Sequence, residues 1–318
     1  MSEEIKVSVI CLAYNHAKYV RKTLEGFVSQ KTDFPIEVLI HDDASTDETA
    51  DIIREYAQKY DFIKPIFQTE NQFSKNVSVT REIMLPRVQG KYVAFCEGDD
   101  YWTDVGKLQM QADYLDNHPD CAMCCHAYHK IDAADEHVIE VIETLDREGD
   151  ITPEQAIVYK RPSQLATQMF RTEVIRDMPP VYHNVGVGDY PMLLKAVAGG
   201  RIHYFDRDMA AYRVASVGSW TSRIYRDVNK QLAHWDRIRE FLIRYDQFNE
   251  GRFSEAVRKK LDSIDFSCAV ICQDYKRARS CEQYNEMPLY RKMVISCGCY
   301  LPGLAKTIER IVDRMRGK

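Results

Sequence analysis

The residues best placed to do chemistry are Cys96-Glu97-Gly98-Asp99-Asp100-Tyr101-Trp102. They follow a short apolar run, Tyr92-Val93-Ala94-Phe95, which reads as a buried strand. That strand ends in two adjacent carboxylates, and an aromatic pair comes next. In open α/β sheets, ligand crevices form outside the carboxyl ends of the strands. Hard divalent cations prefer oxygen ligands, and Mg²⁺ typically takes one or two carboxylates plus substrate phosphates. The stretch therefore reads as a metal-diphosphate site, with an acidic turn after a strand as the plainer alternative.

The elements that must position it can be read from hydrophobic period. Residues 7–12 form a near-continuous apolar run, as expected of a central parallel strand. Tyr19, Val20, Leu24, Phe27 and Val28 then give one apolar helical face. Residues 36–40 read as a second strand, ending at His41-Asp42-Asp43, and Ser45 with Glu48 fits a capping box for the next helix. Residues 63–67 read as a third strand and 68–76 as a polar loop. Residues 80–88 read as a helix interrupted by Pro86, leading to the fourth strand. This β-α-β-α-β-α-β alternation predicts a doubly wound sheet with right-handed crossovers. No Gly-x-Gly-x-x-Gly and no Gly-Lys-Ser/Thr is present, which counts against dinucleotide and P-loop sites.

Further on, 105–117 reads as a helix, 121–128 and 137–144 as strands, 153–159 as a short helix and 165–170 as extended. Asp189 begins a helix running through Ala198. Residues 202–205 and 209–213 read as two short strands, and helices follow over 224–245 and 254–278. A soft boundary falls near residue 220.

The 318 residues suffice for one large domain or a domain with an appended part. Hydrophobic content of 45% and charged content of 29% are ordinary for a globular protein. A net charge of −5 does not suggest nucleic-acid binding. Charge is uneven: residues 291–318 hold seven basic and two acidic side chains. Ten cysteines lack a framework spacing. Cys121, Cys124 and Cys125 lie near His118 and His126, but no second ligand cluster completes a zinc site. Buried free thiols in a reducing compartment are the expectation. No signal-peptide core and no apolar run of membrane-spanning length is seen, so the expected location is cytoplasmic.

Four stretches together resemble the family-2 inverting glycosyltransferases of GT-A fold. They are Val9-Ile10-Cys11-Leu12-Ala13-Tyr14-Asn15, Asp42-Asp43-Ala44-Ser45-Thr46-Asp47, Glu97-Gly98-Asp99-Asp100-Tyr101-Trp102, and Gly188-Asp189 before an apolar helix. The match spans residues 5–220. It implies an α/β, GT-A-type doubly wound, mostly parallel sheet with helices on both faces, over residues 1–220. A helical C-terminal part, 221–318, lies outside it.

The resemblance also implies roles. Ala13, Tyr14 and Asn15 would hold the base and ribose, and Asp43 would accept the uracil N–H, an ionised Asp being acceptor-only. Asp42 is the more structural of that pair. Asp100 would bind Mg²⁺ or Mn²⁺, Asp99 would contact the sugar or ribose, and Asp189 would be the general base, a role compatible with capping its helix. Trp102 and Trp220 are candidates for sugar contacts, with core packing as the alternative. Lys75 and Arg81 are candidates for the diphosphate, with solvated surface charge as the alternative. The family often carries a His, which can complete the metal shell, where this chain has Ala215; either the metal has fewer protein ligands, or another group such as His203 or Ser216 serves, or the metal is weakly held.

The implied activity is metal-dependent, inverting transfer of a hexosyl or N-acetylhexosaminyl group. The donor would be a nucleotide sugar, UDP-linked, and the acceptor a glycan or lipid-linked hydroxyl, in polysaccharide or glycoconjugate synthesis. The alternative is a non-catalytic nucleotide-sugar-binding or scaffold protein of the same fold. Leu304, Ile308, Ile311, Val312 and Met315 share one helical face, with Lys306, Arg310 and Arg314 off it. Residues 303–316 thus read as a basic amphipathic helix able to lie on the inner face of a membrane.

Overall fold

The structure, a computed structural model, describes residues 4–134, 136–158, 163–214, 216, 224 and 226–300. Its strands are β1 Val7–Ala13, β2 Ile36–Asp42, β3 Ile63–Phe67, β4 Tyr92–Phe95, β5 Tyr101–Trp102, β6 Cys121–Asp132, β7 Val138–Ile142, β8 Gly149–Ile151, β9 Met169–Arg171 and β10 Arg201–Val214. The helices are α1 Val20–Val28, α2 Thr49–Lys59, α3 Lys107–Asn117, α4 Pro153–Val158, α5 Thr172–Arg176 and α6 Asp189–Gly199. They continue with α7 Val228–Phe248, α8 Ser254–Ile271, α9 Tyr275–Ser280, α10 Glu282–Glu286 and α11 Leu289–Tyr300.

The strands form one sheet in the order β3-β2-β1-β4-β9-β6-β10-β5, with β7 on β6 and β8 on β10. The β3-β2-β1-β4 half is parallel. The remainder is mixed: β9 runs antiparallel to β4 and β6, and β10 runs parallel to β6. Central position explains the sequence of β1. It is flanked by β2 and β4 and covered on both faces, so it needs no polar alternation. Val7, Val9 and Cys11 share a core with Leu24 and Phe27 of α1, Ile53 of α2 and Leu108, Ala112 and Leu115 of α3.

Some local expectations are corrected. Ser45 does not cap α2; Glu48 stands at the N-cap and no side chain caps it. Ser45 Oγ instead accepts the Asn15 N–H at 2.9 Å, because the turn after β1 has amides that need acceptors. Residues 79–84 form a π-helical turn followed by a 3₁₀ turn at Leu85–Arg87 in place of an interrupted α-helix. The two short strands expected over 202–213 are one strand, β10. The exposed Asp206-Arg207-Asp208 between the two apolar stretches is a bulge, where the register with β6 shifts. Residues 254–278 form two helices, α8 and α9, rather than one.

By packing, the chain forms two compact units. One comprises Met1–Thr152, Lys160–His183 and Val187–Ser222; the other comprises Pro153–Tyr159, Asn184–Gly186 and Arg223–Lys318. In the second unit, Lys259 pairs with Glu154 at 2.9 Å and the buried Lys260 donates to the Val158 carbonyl at 2.9 Å, so α4 is stitched to α8. Phe241, Leu242 and Tyr245 of α7 are buried.

Candidate active site

The acidic stretch leaves β4 and turns across the end of β1. Gly98 N–H donates to the Leu12 carbonyl at 2.9 Å. A Cβ at Gly98 would lie 2.8 Å from His16 Nδ1 and 3.0 Å from the Ala13 Cβ, so only glycine permits this approach. From α1, Thr23 Oγ donates to the carbonyls of Gly98 and Asp100 at 3.1 and 2.6 Å.

The turn brings Glu97, Asp99 and Asp100 together, with a carboxylate oxygen of each within 4.8 Å of the others. Among the described residues, this is the one group of three His, Cys, Asp or Glu side chains so arranged. Asp100 is buried: Oδ1 accepts the Arg213 backbone N–H at 2.9 Å and Oδ2 accepts the Gln164 amide at 3.1 Å. Asp99 Oδ2 accepts the Ser216 hydroxyl at 2.6 Å and lies 4.0 Å from His16 Nε2.

Burial pushes the Glu97 carboxyl up to about 8, with the charges of Asp99 and Asp189 adding to the effect. Burial likewise raises Asp100 well above the usual carboxylate range, reinforced by Asp99 and Glu97 and opposed by the Arg213 N–H and charge. Among the described residues, no Lys or Arg side chain forms an ion pair with these three carboxylates. Three crowded oxygen donors short of positive charge suit a hard divalent cation. Asp100, with Asp99 and Glu97 beside it, could hold Mg²⁺ or Mn²⁺.

Arg213 ties the turn to β10. Its Nε donates to the Asp99 carbonyl at 2.9 Å, and another guanidinium nitrogen pairs with Glu136 at 2.8 Å. Its guanidinium sits 4.5 Å from the Tyr19 ring centre and 5.8 Å from that of Tyr101.

Asp189 opens α6 and is half-buried. Burial raises its pKa; the Tyr190 N–H, which donates to Oδ1 at 2.8 Å, opposes that rise. Its charge is felt at Glu97, so both belong to one electrostatic site. A helix N-terminus also favours a negative charge there.

The β1 and β2 ends are clasped together. Asn15, in a left-handed conformation with φ 56°, accepts the Thr46 N–H at 2.8 Å. His16 N–H donates to Thr49 Oγ at 2.8 Å and Ala17 N–H to Asp47 Oδ2 at 3.1 Å. Asp43 N–H donates to the Ala13 carbonyl at 3.0 Å. The Asp43 carboxylate accepts the Gln72 and Phe73 N–H groups at 2.7 and 3.1 Å. Each oxygen retains further acceptor capacity. Asp42 Oδ2 accepts the Ser45 N–H at 3.2 Å, which ties the loop. Ala13 is buried and Tyr14 is 44% exposed.

Other candidates fall elsewhere. Trp102 is only 4% exposed: its indole N–H donates to the Ala166 carbonyl at 2.9 Å, and it meets Phe27 edge-on at 4.8 Å. The buried Lys107 ammonium lies 4.2 Å from its ring centre. These contacts make Trp102 a core residue and displace the expected sugar contact. Lys75 pairs with Glu70 and Arg81 with Glu82, the latter at 2.6 Å, so each spends its charge on a neighbour. His203 stacks on Tyr114 at 4.0 Å and bonds Asp150 at 3.1 Å. It stands ten residues along β10 from Arg213, roughly 30 Å at strand rise, and does not reach the acidic cluster. Ser216 does reach it. Trp220, Ala215 and residues 303–316 lie outside the described residues. Cys121, Cys124 and Cys125 are buried thiols whose pKa values burial raises. No helix among the described residues is long and apolar enough to cross a membrane.

Sequence reasoning missed Glu97 as a member of the cluster, although it lies in the same motif. It also missed Arg213, Gln164 and His16 as neighbours of the acidic turn. Arg213 and Gln164 lie 64 to 114 residues away in the chain, and no local pattern marks them.

Comparison with known proteins bears on the family and the fold. The chain is 36% identical over 227 residues to an uncharacterized protein of Mycobacterium tuberculosis (strain ATCC 25618 / H37Rv), covering 70% of this chain and 63% of that protein. The chain thus spans somewhat less than two thirds of that relative's length. It is 34% identical over 110 residues to the UDP-Glc:alpha-D-GlcNAc-diphosphoundecaprenol beta-1,3-glucosyltransferase WfaP of Escherichia coli, covering 35% of this chain and 41% of WfaP. Among solved structures, Staphylococcus aureus TarS 1–349 in complex with UDP-GlcNAc aligns with a TM-score of 0.57 at 19% identity, covering 99% of this chain and 93% of that one. The mannosyltransferase PcManGT of Pyrobaculum calidifontis, in complex with GDP-Man and Mn²⁺, aligns with a TM-score of 0.60 at 17% identity, covering 96% and 83%. These two share the fold. The family model described as Glycosyl transferase family 2 matches residues 8–174, and with the GT-A-type sheet and its acidic turn in place, the chain belongs to that family.

Proposed function

We propose that this chain is a metal-assisted, inverting glycosyltransferase. It moves a hexosyl or N-acetylhexosaminyl group from a UDP-linked sugar to a hydroxyl of a glycan or lipid-linked acceptor, in the synthesis of a polysaccharide or glycoconjugate. The observation that carries this reading is the placement of Asp189 at the start of α6, within the field of the Glu97-Asp99-Asp100 cluster. Support for the donor and acceptor classes comes from the name of WfaP, which specifies UDP-Glc and a diphosphoundecaprenol-linked acceptor. The UDP-GlcNAc of TarS and the Mn²⁺ of the mannosyltransferase point the same way.

The chemistry follows from the side chains. The acceptor hydroxyl oxygen attacks the anomeric carbon from the face opposite the diphosphate. The carbon–oxygen bond to the diphosphate breaks as the new one forms, and its electron pair leaves with UDP. Asp189 takes the hydroxyl proton. A carboxylate whose pKa burial has raised is a stronger base than one in water, and general-base catalysis is worth about 10²–10⁴-fold. A bound divalent cation would neutralise charge on the departing diphosphate. Asp100 is the ligand proposed for it. Asp99 would face the sugar, and Asp43, Ala13, Tyr14 and Asn15 would face the base and ribose.

The full chain should release UDP from one or more members of a panel of UDP-sugars with Mn²⁺ and an acceptor, and excess EDTA should stop it. Tight UDP binding without turnover of any nucleotide sugar would favour the non-catalytic binding or scaffold reading instead.

A further inference from the structure

Both Asp43 carboxylate oxygens accept from the backbone of one short loop. Gln72 and Phe73 donate to it, and Asn71 Nδ2 donates to its carbonyl at 3.1 Å. The loop is also braced from within. Ser74 N–H donates to Asn71 Oδ1 and Ser74 Oγ to the Asn71 carbonyl, both at 2.7 Å. A 3₁₀ turn over Phe73–Lys75 follows, closed by Asn76 in a left-handed conformation. Yet the ring this fixed loop presents, Phe73, is 54% exposed.

A single exposed apolar side chain needs no explanation. Here two belong to backbone segments that hydrogen-bond one residue, Asp43. Among the described residues, the strongly exposed aromatic side chains are Tyr14, Phe73 and Phe248. Tyr14 follows Ala13, whose carbonyl takes the Asp43 N–H, and Phe73 bonds the Asp43 carboxylate directly. So two of the three lie on the two backbone segments that meet Asp43, the carboxylate proposed to read the base. Every nucleobase has an apolar π-face and a hydrogen-bonding edge, and proteins hold bases by stacking aromatic rings on the first.

We propose that Phe73 is a stacking residue for the base of the donor nucleotide, a second aromatic wall beside Tyr14, with Asp43 holding its loop in place. The ligand class is a nucleoside diphosphate and its sugar conjugates. The inference rests on the nucleotide-sugar reading of the site. It assigns a role to a loop that the carboxylate chemistry leaves unexplained.

Calorimetric titration of the full chain tests it, with UDP and inorganic pyrophosphate as separate probes, both with Mn²⁺. Loss of a stacking ring costs about 1–3 kcal/mol per base, or about 5- to 150-fold in affinity. Phe73→Ala should weaken UDP binding by that factor, Phe73→Trp should preserve it, and pyrophosphate binding should be unchanged in both. Thermal melting checks that the variants fold. UDP affinity in Phe73→Ala within twofold of wild type, where wild type binds UDP, overturns the inference and leaves the glycosyltransferase reading standing. Equal loss of UDP and pyrophosphate also overturns it, because it would show a displaced loop rather than a lost stack. No binding of any nucleoside diphosphate by wild type would overturn both.

Discussion

Glu97 and Asp100 show what the acidic turn costs the protein without a cation. Glu97 ionises near 4.5 when unfolded and at about 8 when folded. Between those values the unfolded chain sheds a proton that the folded chain keeps. Stability therefore falls as pH rises through that window, and levels off above it. Glu97→Gln removes the titration at nearly the same shape. With EDTA present, the melting temperature of this variant should gain on wild type as pH rises from about 5 to about 8, and the two curves should meet near about pH 4. A constant offset across the range would contradict a buried-charge origin. Mn²⁺ should erase much of the difference for wild type, because binding to the native state stabilises it by mass action. Asp100→Ala should weaken Mn²⁺-dependent UDP binding by at least about tenfold, since even outer partners of metal ligands are worth about 10–100-fold. The Asp99-Asp100 pair was legible in the sequence because charge at a strand's end is conspicuous. His16 was not, because its nearness to Asp99 depends on a left-handed Asn15 and a bare Gly98.

At the scale of elements, β10 carries more than its sequence suggested. Its bulge at Asp206–Asp208 disguised a single strand that delivers Arg213 to the acidic turn. The Arg213 guanidinium is 2% exposed and serves the Asp99 carbonyl and Glu136 together. Arg213→Met should lose about 2 kcal/mol in urea unfolding, the scale of hydrogen bonds to a charged group. Arg213→Lys should recover only part, because an ammonium lacks the planar fork. A fully stable lysine variant would argue that charge alone matters. The parallel half of the sheet was readable because β1, β2 and β4 are nearly continuous apolar runs, as central strands are. The antiparallel insertion of β9 was not, since three residues, Met169–Arg171, carry no period of their own. The Ser45–Glu48 pattern misled for a related reason: the same side chains serve either a helix start or a neighbouring loop, and tertiary contact decided for the loop.

For the whole molecule, one cut near residue 220 does not separate the two units, because residues 153–158 and 184–186 group with the helical one. Phe241 is fully buried in that unit. Phe241→Ala should cost it about 3–5 kcal/mol in denaturant unfolding, and a loss under about 1 kcal/mol would contradict its core placement. A membrane role for residues 303–316 predicts that the full chain, but not one truncated before Gly303, co-sediments with anionic liposomes; equal binding of both would remove it. Turnover is the property on which all of these features converge. The most direct measurement is Asp189→Ala against wild type, with UDP affinity and sugar transfer read on the same preparations in Mn²⁺. A general-base role for Asp189 predicts UDP binding within about threefold of wild type and transfer reduced by about 10²-fold or more. Transfer at the wild-type rate would contradict it.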